Sequence, residues 1–310
     1  MSTIFQRLAE RGVSDFFTPT PFELSGLPNA GQLPTVGMAL APYIPHLSQG
    51  ALPIFNLDGT LWGCVSSFDV AEDVRRAMLS RHTLDTYRFS ALKLGKIGTR
   101  ILGPVRLNDS VVRLIEVLQA GSRRAFVVDD AGKLLGTIEL ADVIARLVGE
   151  FPQLLEDVSE HREDSAPGER KINRVMLHSA RDLSIVLAEP LVEFLLRVHR
   201  WRRFGLVYVL GRHTRGVTIS DALELLSVDG ALSGLKVDAL PGANPSPLEA
   251  SYPLPFPVVQ DTTSISEALP QLLRSQQLLV MRGETIIGHV DIVQFWSEEI
   301  LPKLDLVLPS

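Results

Sequence analysis

Two short phrases of the sequence place a hydroxyl side chain three residues before a carboxylate, at the predicted start of a helix. They are GCVSSFD, with Ser66 and Asp69, and RGVTISD, with Thr218 and Asp221. A helix N-terminus presents unpaired N–H groups that favour a phosphate, and a hydroxyl in the first turn can donate to it. An Asp three positions later lies on the same face and can accept from two adjacent hydroxyls. The spacing indicates a nucleotide site, and helix capping is the alternative.

Two further phrases keep this position but change its chemistry. In GTIELAD, Asp142 keeps the carboxylate, but Glu139 replaces the hydroxyl and would repel a nearby phosphate. In GHVDIVQ, Asp291 stands at the hydroxyl position and Gln294 replaces the carboxylate. The sequence therefore predicts two complete sites, one doubtful site that retains Asp142, and one that does not bind nucleotide.

At two places in the sequence, a pair of arginines directly precedes the first strand of a predicted hairpin. They are Arg123 and Arg124 in GSRRAFVV, and Arg202 and Arg203 in HRWRRFGLV. Arginine forks bind phosphate oxygens in pairs, so these residues are candidate phosphate ligands. A solvated basic face, or an RNA-binding patch that includes Trp201, is the alternative.

These phrases belong to a unit that recurs four times along the chain. The clearest copy, residues 103–151, reads as strand, amphipathic helix, β-hairpin and helix, since its apolar residues change from strand spacing to helical spacing and back. Residues 257–300 repeat this order, and residues 35–79 and 190–226 repeat it more faintly. Such repetition fixes the architecture before any single element is assigned.

The four copies fall into two pairs. Residues 158–171, between the second and third copies, combine many charges with small residues, which is typical of a solvated linker. Long irregular stretches, 80–103 and the proline-rich 228–257, separate the copies within each pair. We therefore expect one domain over residues 1–165 and a second over residues 166–310.

This order of elements, with an apolar strand, a glycine and Ser/Thr-x-x-Asp entering the last helix, resembles the CBS-domain family, named for cystathionine β-synthase. The resemblance implies an α/β fold of the α+β type with four β-α-β-β-α repeats. The repeats would span about 13–80, 100–152, 172–227 and 255–300, and they would pair into two Bateman modules that form a disc.

The resemblance also implies roles for individual residues. In such families the Ser or Thr of the phrase lies at a phosphate and the Asp lies at a ribose. This gives phosphate roles to Ser66 and Thr218, and ribose roles to Asp69, Asp221 and Asp142. The γ subunit of AMP-activated protein kinase, which also has four repeats, carries basic pairs at the location of the arginines. By that resemblance Arg123, Arg124, Arg202 and Arg203 are assigned to the phosphates.

Composition and motifs speak against several other classes of protein. The 310-residue chain has a net charge of −6, which gives no general attraction for nucleic acid, and its single cysteine cannot form an internal disulfide. Neither a secretion signal nor a membrane span is expected, so the sequence predicts a cytoplasmic location. Walker, dinucleotide-binding and zinc motifs are absent from the sequence, so we expect no metal, no cofactor and no catalytic activity.

The sequence therefore predicts a regulatory protein that is not an enzyme and that binds AMP, ADP or ATP between paired repeats as an energy or metabolite sensor. A partner protein would read out the bound state, and the chain could form a homodimer. Three alternatives stay open. One is a scaffold with decayed sites that docks through residues 241–257 and the apolar tail 301–308. The others are a sensor of S-adenosylmethionine and an RNA-binding adaptor that uses residues 200–203.

Overall fold

The computed structural model of the chain describes residues 4–18, 33–49, 51–79, 92–100, 104–119, 123–155, 171–176, 184–185, 193–195, 204–209, 212–219, 222–223, 225 and 256–304. These residues form short helices and four three-stranded sheets. No helix within these ranges is both long enough and apolar enough to cross a membrane.

The first unit centres on a β-hairpin with helices on either side. Its elements are the 3-10 segment Ala41–Gln49, β1 (Leu52–Phe55), β2 (Leu61–Val65), α2 (Ser67–Leu79), α3 (Leu94–Ile97) and β3 (Thr99–Arg100). The preceding segment, with α1 (Ile4–Ala9) and the 3-10 turn Val13–Asp15, packs instead on the second unit, where Gly12 bridges to Ser110. The expected first strand is reduced to a single bridge between Thr35 and Phe55. The stretch 80–103, expected to be irregular, contains α3 and β3, because Leu94 and Ile97 are buried against the core.

The second unit follows the predicted order most closely. It consists of β4 (Val105–Arg106), α4 (Val111–Gln119), β5 (Arg124–Val128), β6 (Leu134–Glu139) and α5 (Leu140–Glu150), followed by the 3-10 turn Pro152–Leu155. Strand β4 pairs parallel with β5, and β5 pairs antiparallel with β6. Gly132 in the hairpin turn has a φ of 79°, a conformation that glycine adopts without strain. The strand, helix, hairpin and helix expected from residues 103–151 are confirmed.

The third and fourth units repeat this pattern. The described part of the third contains the 3-10 turn Ile172–Arg174, β7 (Ser184–Ile185), β8 (Phe204–Val209) and β9 (Arg212–Thr218). The fourth contains β10 (Val258–Gln260), α6 (Ile265–Ser275), β11 (Gln277–Arg282), β12 (Thr285–Asp291) and α7 (Ile292–Phe295). A π-helical turn, Trp296–Ile300, and a 3-10 turn, Leu301–Leu304, follow α7. Ser264 begins α6 with a capping box in which its side chain and that of Glu267 each bind the other's backbone N–H.

All four hairpins are irregular at the same place. The register shifts between Ile54 and Phe55, Val127 and Val128, Val207 and Tyr208, and Val280 and Met281. A β-bulge of this kind bends the strand and increases its twist. Its recurrence therefore gives the four hairpins a common shape and establishes which residues of the four units are equivalent.

The hydrophobic core joins units that are distant in the sequence. One buried cluster combines residues of the second unit, such as Leu114 and Ile144, with residues of the fourth, such as Leu272 and Phe295. A second cluster combines Val70 and its neighbours in the first unit with parts of the third. The helices thus pack the second unit on the fourth and the first on the third. The boundary near residue 165 lies outside the described residues, and the division into domains at that point stays a prediction.

The C-terminal apolar segment packs into this core over its described part. Leu304 is fully buried, and Lys303 Nζ donates to the backbone oxygen of Leu154 at 2.7 Å. Trp296 is also fully buried and packs in the same cluster. Leu304 therefore belongs to the interior, while Pro302 stays exposed. The expected docking segment 241–257 lies mostly outside the described residues.

Candidate functional site

The motif of the first unit is held together by its own hydrogen bonds. The backbone N–H and the hydroxyl of Ser66 both donate to Asp69 Oδ2, at 2.7 and 2.6 Å, and the backbone N–H of Asp69 approaches the Ser66 hydroxyl at 3.3 Å. Both residues are partly accessible. The arrangement is a capping box at the start of α2, and it places the hydroxyl and the carboxylate side by side, as the spacing predicted.

The motif of the third unit is described only in part. Thr218 ends β9, where it pairs in register with Phe204. Asp221, Arg202 and Arg203 lie outside the described residues. Their assignments to ribose and phosphate stay predictions.

In the second unit, the residue that replaces the hydroxyl pairs with an arginine. Glu139 and Arg124 face each other across the hairpin and form an ion pair. Burial raises the pKa of Glu139, and Asp142 nearby adds to this shift, while Arg124 and Arg123 oppose it. Asp142 itself is exposed. The doubtful site of the second unit thus brings together a ribose candidate, two arginines and an acidic group.

In the fourth unit, the equivalent acid is buried and pairs with the other arginine. Asp291 is 1% exposed and forms an ion pair with Arg123 of the second unit. It also accepts from Gln277 Nε2 at 3.0 Å and from the backbone N–H of Val293 at 2.9 Å, which caps α7. Arg123 reaches Gln276 Oε1 at 3.3 Å as well. Asp291, which stands at the hydroxyl position of the motif in the fourth unit, is thus bonded to other groups of the protein.

The remaining motif position of the fourth unit is also closed off from solvent. Gln294, which stands where the other units have Asp, is 3% exposed, and its Nε2 donates to Glu298 at 3.1 Å. A buried amide cannot receive a ribose without rearrangement of the helix that carries it. That the fourth site does not bind nucleotide stays a prediction.

The starts of three hairpins meet at one place. Arg123 and Gln276 are equivalent residues, since each accepts at its backbone oxygen from the first residue of the following helix, and they contact each other. Arg124 also extends to the first unit, where it donates to the backbone oxygen of Ala51 at 3.5 Å. Ala51 lies three residues before Ile54, where the register of the first hairpin shifts, and Arg124 lies three residues before Val127, where that of the second shifts, so the two residues are equivalent. The four-repeat arrangement thus gathers the strand starts of the first, second and fourth units.

Arg124 brings a cation towards the motif of the first unit. The pKa of the Cys64 thiol, two residues before Ser66, responds to both units: burial and, to a smaller extent, Asp69 raise it to about 12, while Arg124 opposes this rise. The Cys64 thiol is therefore close enough to Asp69 of the first unit and to Arg124 of the second to respond to the charge of each. We call this region, defined by Ser66, Asp69, Arg124 and Glu139, the unit 1–2 junction.

Two features of this arrangement were missed by the sequence reasoning. The first is the partner of each arginine, although the position of Arg124 at the start of one hairpin strand and of Glu139 at the end of the other could have indicated their pairing. The second is that the pair Arg202 and Arg203 lies one position earlier in its unit than the pair Arg123 and Arg124 does. In the register of the hairpins Phe204 is equivalent to Arg124, so that Arg203 corresponds to Arg123.

Within the described ranges, no group of three or more His, Cys, Asp or Glu side chains is placed to hold a metal ion.

Comparison with protein families assigns the class of the second unit. The sequence profile of the CBS domain matches residues 96–149. The chain therefore contains a CBS domain over residues 96–149, and this segment includes α4, β5, β6 and nearly all of α5. No curated protein matches the chain.

Solved structures extend the similarity to most of the fold. Protein MJ1225 from Methanocaldococcus jannaschii, which has been proposed as an archaeal homolog of g-AMPK, superposes with a TM-score of 0.58 at 14% sequence identity. The match covers 84% of this chain and 92% of that one. CBSX2, solved in complex with AMP, matches 45% of this chain and 97% of its own at 23% identity, with a TM-score of 0.32. The fold of the chain is the α+β fold of CBS-repeat proteins.

Proposed function

We propose that the chain is a regulatory protein without catalytic activity that binds an adenine nucleotide, AMP, ADP or ATP, at the unit 1–2 junction. The observation that supports this most directly is that Arg124 of the second unit reaches the unit that carries Ser66 and Asp69. One junction thereby combines a cation, a hydroxyl at a helix start and a carboxylate on the same helix turn. These are the groups that a phosphate and a ribose require.

Binding would exchange internal hydrogen bonds for bonds to the ligand. Asp69 Oδ2 now accepts from the Ser66 hydroxyl, and the two hydroxyls of a ribose would become its donors instead. The Ser66 hydroxyl would then be available to a phosphate at the N-terminus of α2. Helix α2 has 13 residues, so its dipole favours an anion at this end. No group in this exchange has to move from another part of the fold.

The wider proposal rests on the class and on the fold. The CBS domain at residues 96–149 and the fold shared with MJ1225 are the context in which a ligand between repeats can change their relative placement. A ligand signals only if it binds two arrangements with different affinity, so a partner protein would have to read the difference. Thr218, Asp221, Arg202 and Arg203 would form a second site of the same kind. We place the protein in the cytoplasm and expect no resident cofactor.

Thermal unfolding of the purified chain with AMP, ADP, ATP or S-adenosylmethionine, each at about 1 mM, tests the proposal. A ligand at about 100 times its dissociation constant stabilises a protein by about 2.7 kcal/mol. We expect a clear rise in Tm with at least one nucleotide, and a smaller rise in Asp69→Ala. The matched control is Asp130→Ala, which removes an exposed carboxylate in the β5–β6 turn.

The comparison concerns the rise caused by the ligand, because Asp69→Ala also removes the capping box and lowers the Tm of the unliganded chain. The full rise should persist in Asp130→Ala. If no nucleotide raises the Tm of the wild-type chain, the proposal is wrong. If Asp69→Ala shows the same rise as wild type, a ligand binds elsewhere than at the unit 1–2 junction.

One observation favours S-adenosylmethionine as a second candidate ligand. Arg123 and Arg124 are both paired with carboxylates, Asp291 and Glu139, so the cations expected at a phosphate are already neutralised. An adenine ligand without phosphate would not need them. A larger rise in Tm with S-adenosylmethionine than with any of the three nucleotides would support this candidate.

A further inference from the structure

Glu139 occupies the position of a phosphate-binding hydroxyl but does not cap its helix. It is the residue before α5 and has the extended backbone of an N-cap, yet its side chain makes no capping hydrogen bond. The equivalent residues of the first and fourth units, Ser66 and Asp291, both accept from backbone N–H groups of the helix that follows. The Glu139 carboxylate is directed to Arg124 instead. The Glu139 side chain therefore binds Arg124 and does not cap α5.

The two arginine–carboxylate pairs differ in how easily they can open. Asp291 is 1% exposed and is held by two further donors, whereas the side chains of Arg124 and Glu139 are 20% and 26% exposed. Both members of the second pair keep partial contact with water, so opening it costs less than opening the buried pair. The buried pair stays closed because separation would leave a charge without water. Arg124 is thus the arginine that a ligand can capture.

We propose that Glu139 competes with the phosphate of a ligand for Arg124 and thereby limits the affinity of the unit 1–2 junction for phosphorylated adenine compounds. This inference rests on the proposed function and names the residue that sets its ligand preference. A carboxylate and a phosphate present similar oxygens to the guanidinium, so only one of them can fill the fork. Glu139 also repels the phosphate directly while it is charged.

Replacing Glu139 by Gln tests the competition, because it keeps the size of the side chain and removes its charge. The dissociation constants of AMP and of adenosine are measured by titration calorimetry for wild type and Glu139→Gln. Adenosine lacks the phosphate and reports on the rest of the site. The matched control is Glu116→Gln, which removes the same charge from an ion pair with Arg113 within α4.

We expect Glu139→Gln to bind AMP about tenfold more tightly than wild type, which corresponds to about 1.4 kcal/mol. Adenosine affinity should change less than about twofold, and Glu116→Gln should leave both affinities unchanged. A second variant, Glu139→Ser, restores the hydroxyl found at Ser66 and should show the same gain. In an Arg124→Gln background the gain from Glu139→Gln should shrink, because the contested cation is absent.

Failure of this inference is distinguishable from failure of the proposed function. If wild type binds AMP and neither Glu139 variant binds it more tightly, the competition is refuted while nucleotide binding stands. An equal gain for AMP and adenosine also refutes it, since the effect would then be one of shape. If neither wild type nor any Glu139 variant binds AMP, both ideas are wrong. Thermal unfolding without ligand establishes that each variant is folded.

Discussion

The buried pair of Arg123 and Asp291 should contribute much of the stability of the contact between the second and fourth units. Asp291→Ala removes the salt-bridge partner of Arg123, together with the acceptor for Gln277 and the cap of α7. Breaking a buried pair costs about 3–5 kcal/mol. Arg123 retains 21% exposure, so water offsets part of this cost, and we expect a loss of about 3–4 kcal/mol.

Urea and thermal unfolding measure this loss. At about 2–4 °C for each kcal/mol, the Tm of Asp291→Ala should fall by about 6–16 °C. Glu139→Gln, which opens the more exposed pair, should change the free energy of unfolding by less than about 1 kcal/mol. A double-mutant cycle with Arg123→Met and Asp291→Leu should show that removing both partners costs less than the sum of the single changes. Additive losses, or a loss below about 1 kcal/mol in Asp291→Ala, would refute the reasoning.

Two other predictions concern local features of the fold. Burial and the nearby Asp69 raise the pKa of the Cys64 thiol to about 12, so the thiol is almost entirely protonated at pH 8. It should react with a thiol reagent far more slowly in the native chain than in denaturant, and comparable rates would contradict the raised pKa. Ser264→Ala removes one half of the capping box of α6 and should lower the free energy of unfolding by about 1 kcal/mol, measured in urea. Ser264→Thr keeps the hydroxyl and should lose less; an equal loss in both variants would show that the cap is not the cause.

Local order was predictable because it depends on residues close together in the chain. Alternating and helical spacings of apolar residues gave the hairpin and helices of the second unit, and the three-residue spacing of Ser66 and Asp69 gave their contact. Prediction was weaker in the first unit, where Pro45 lies within a 3-10 segment and Thr35 makes only one bridge. There the pattern of apolar residues does not distinguish a strand from a turn.

The sequence by itself determined the repeat, the motif positions and the residues that carry charge to them. Only the tertiary structure decided that Arg123 pairs with Asp291, 168 residues away, and that Arg124 turns to Glu139 and Ala51. Spacing along the chain encodes which side chains share a face of one helix or strand. It does not encode which faces of distant units pack together, because that choice follows from burying apolar surface across the whole molecule. The partner of each arginine, and with it the chemistry available to a ligand, is a consequence of that packing.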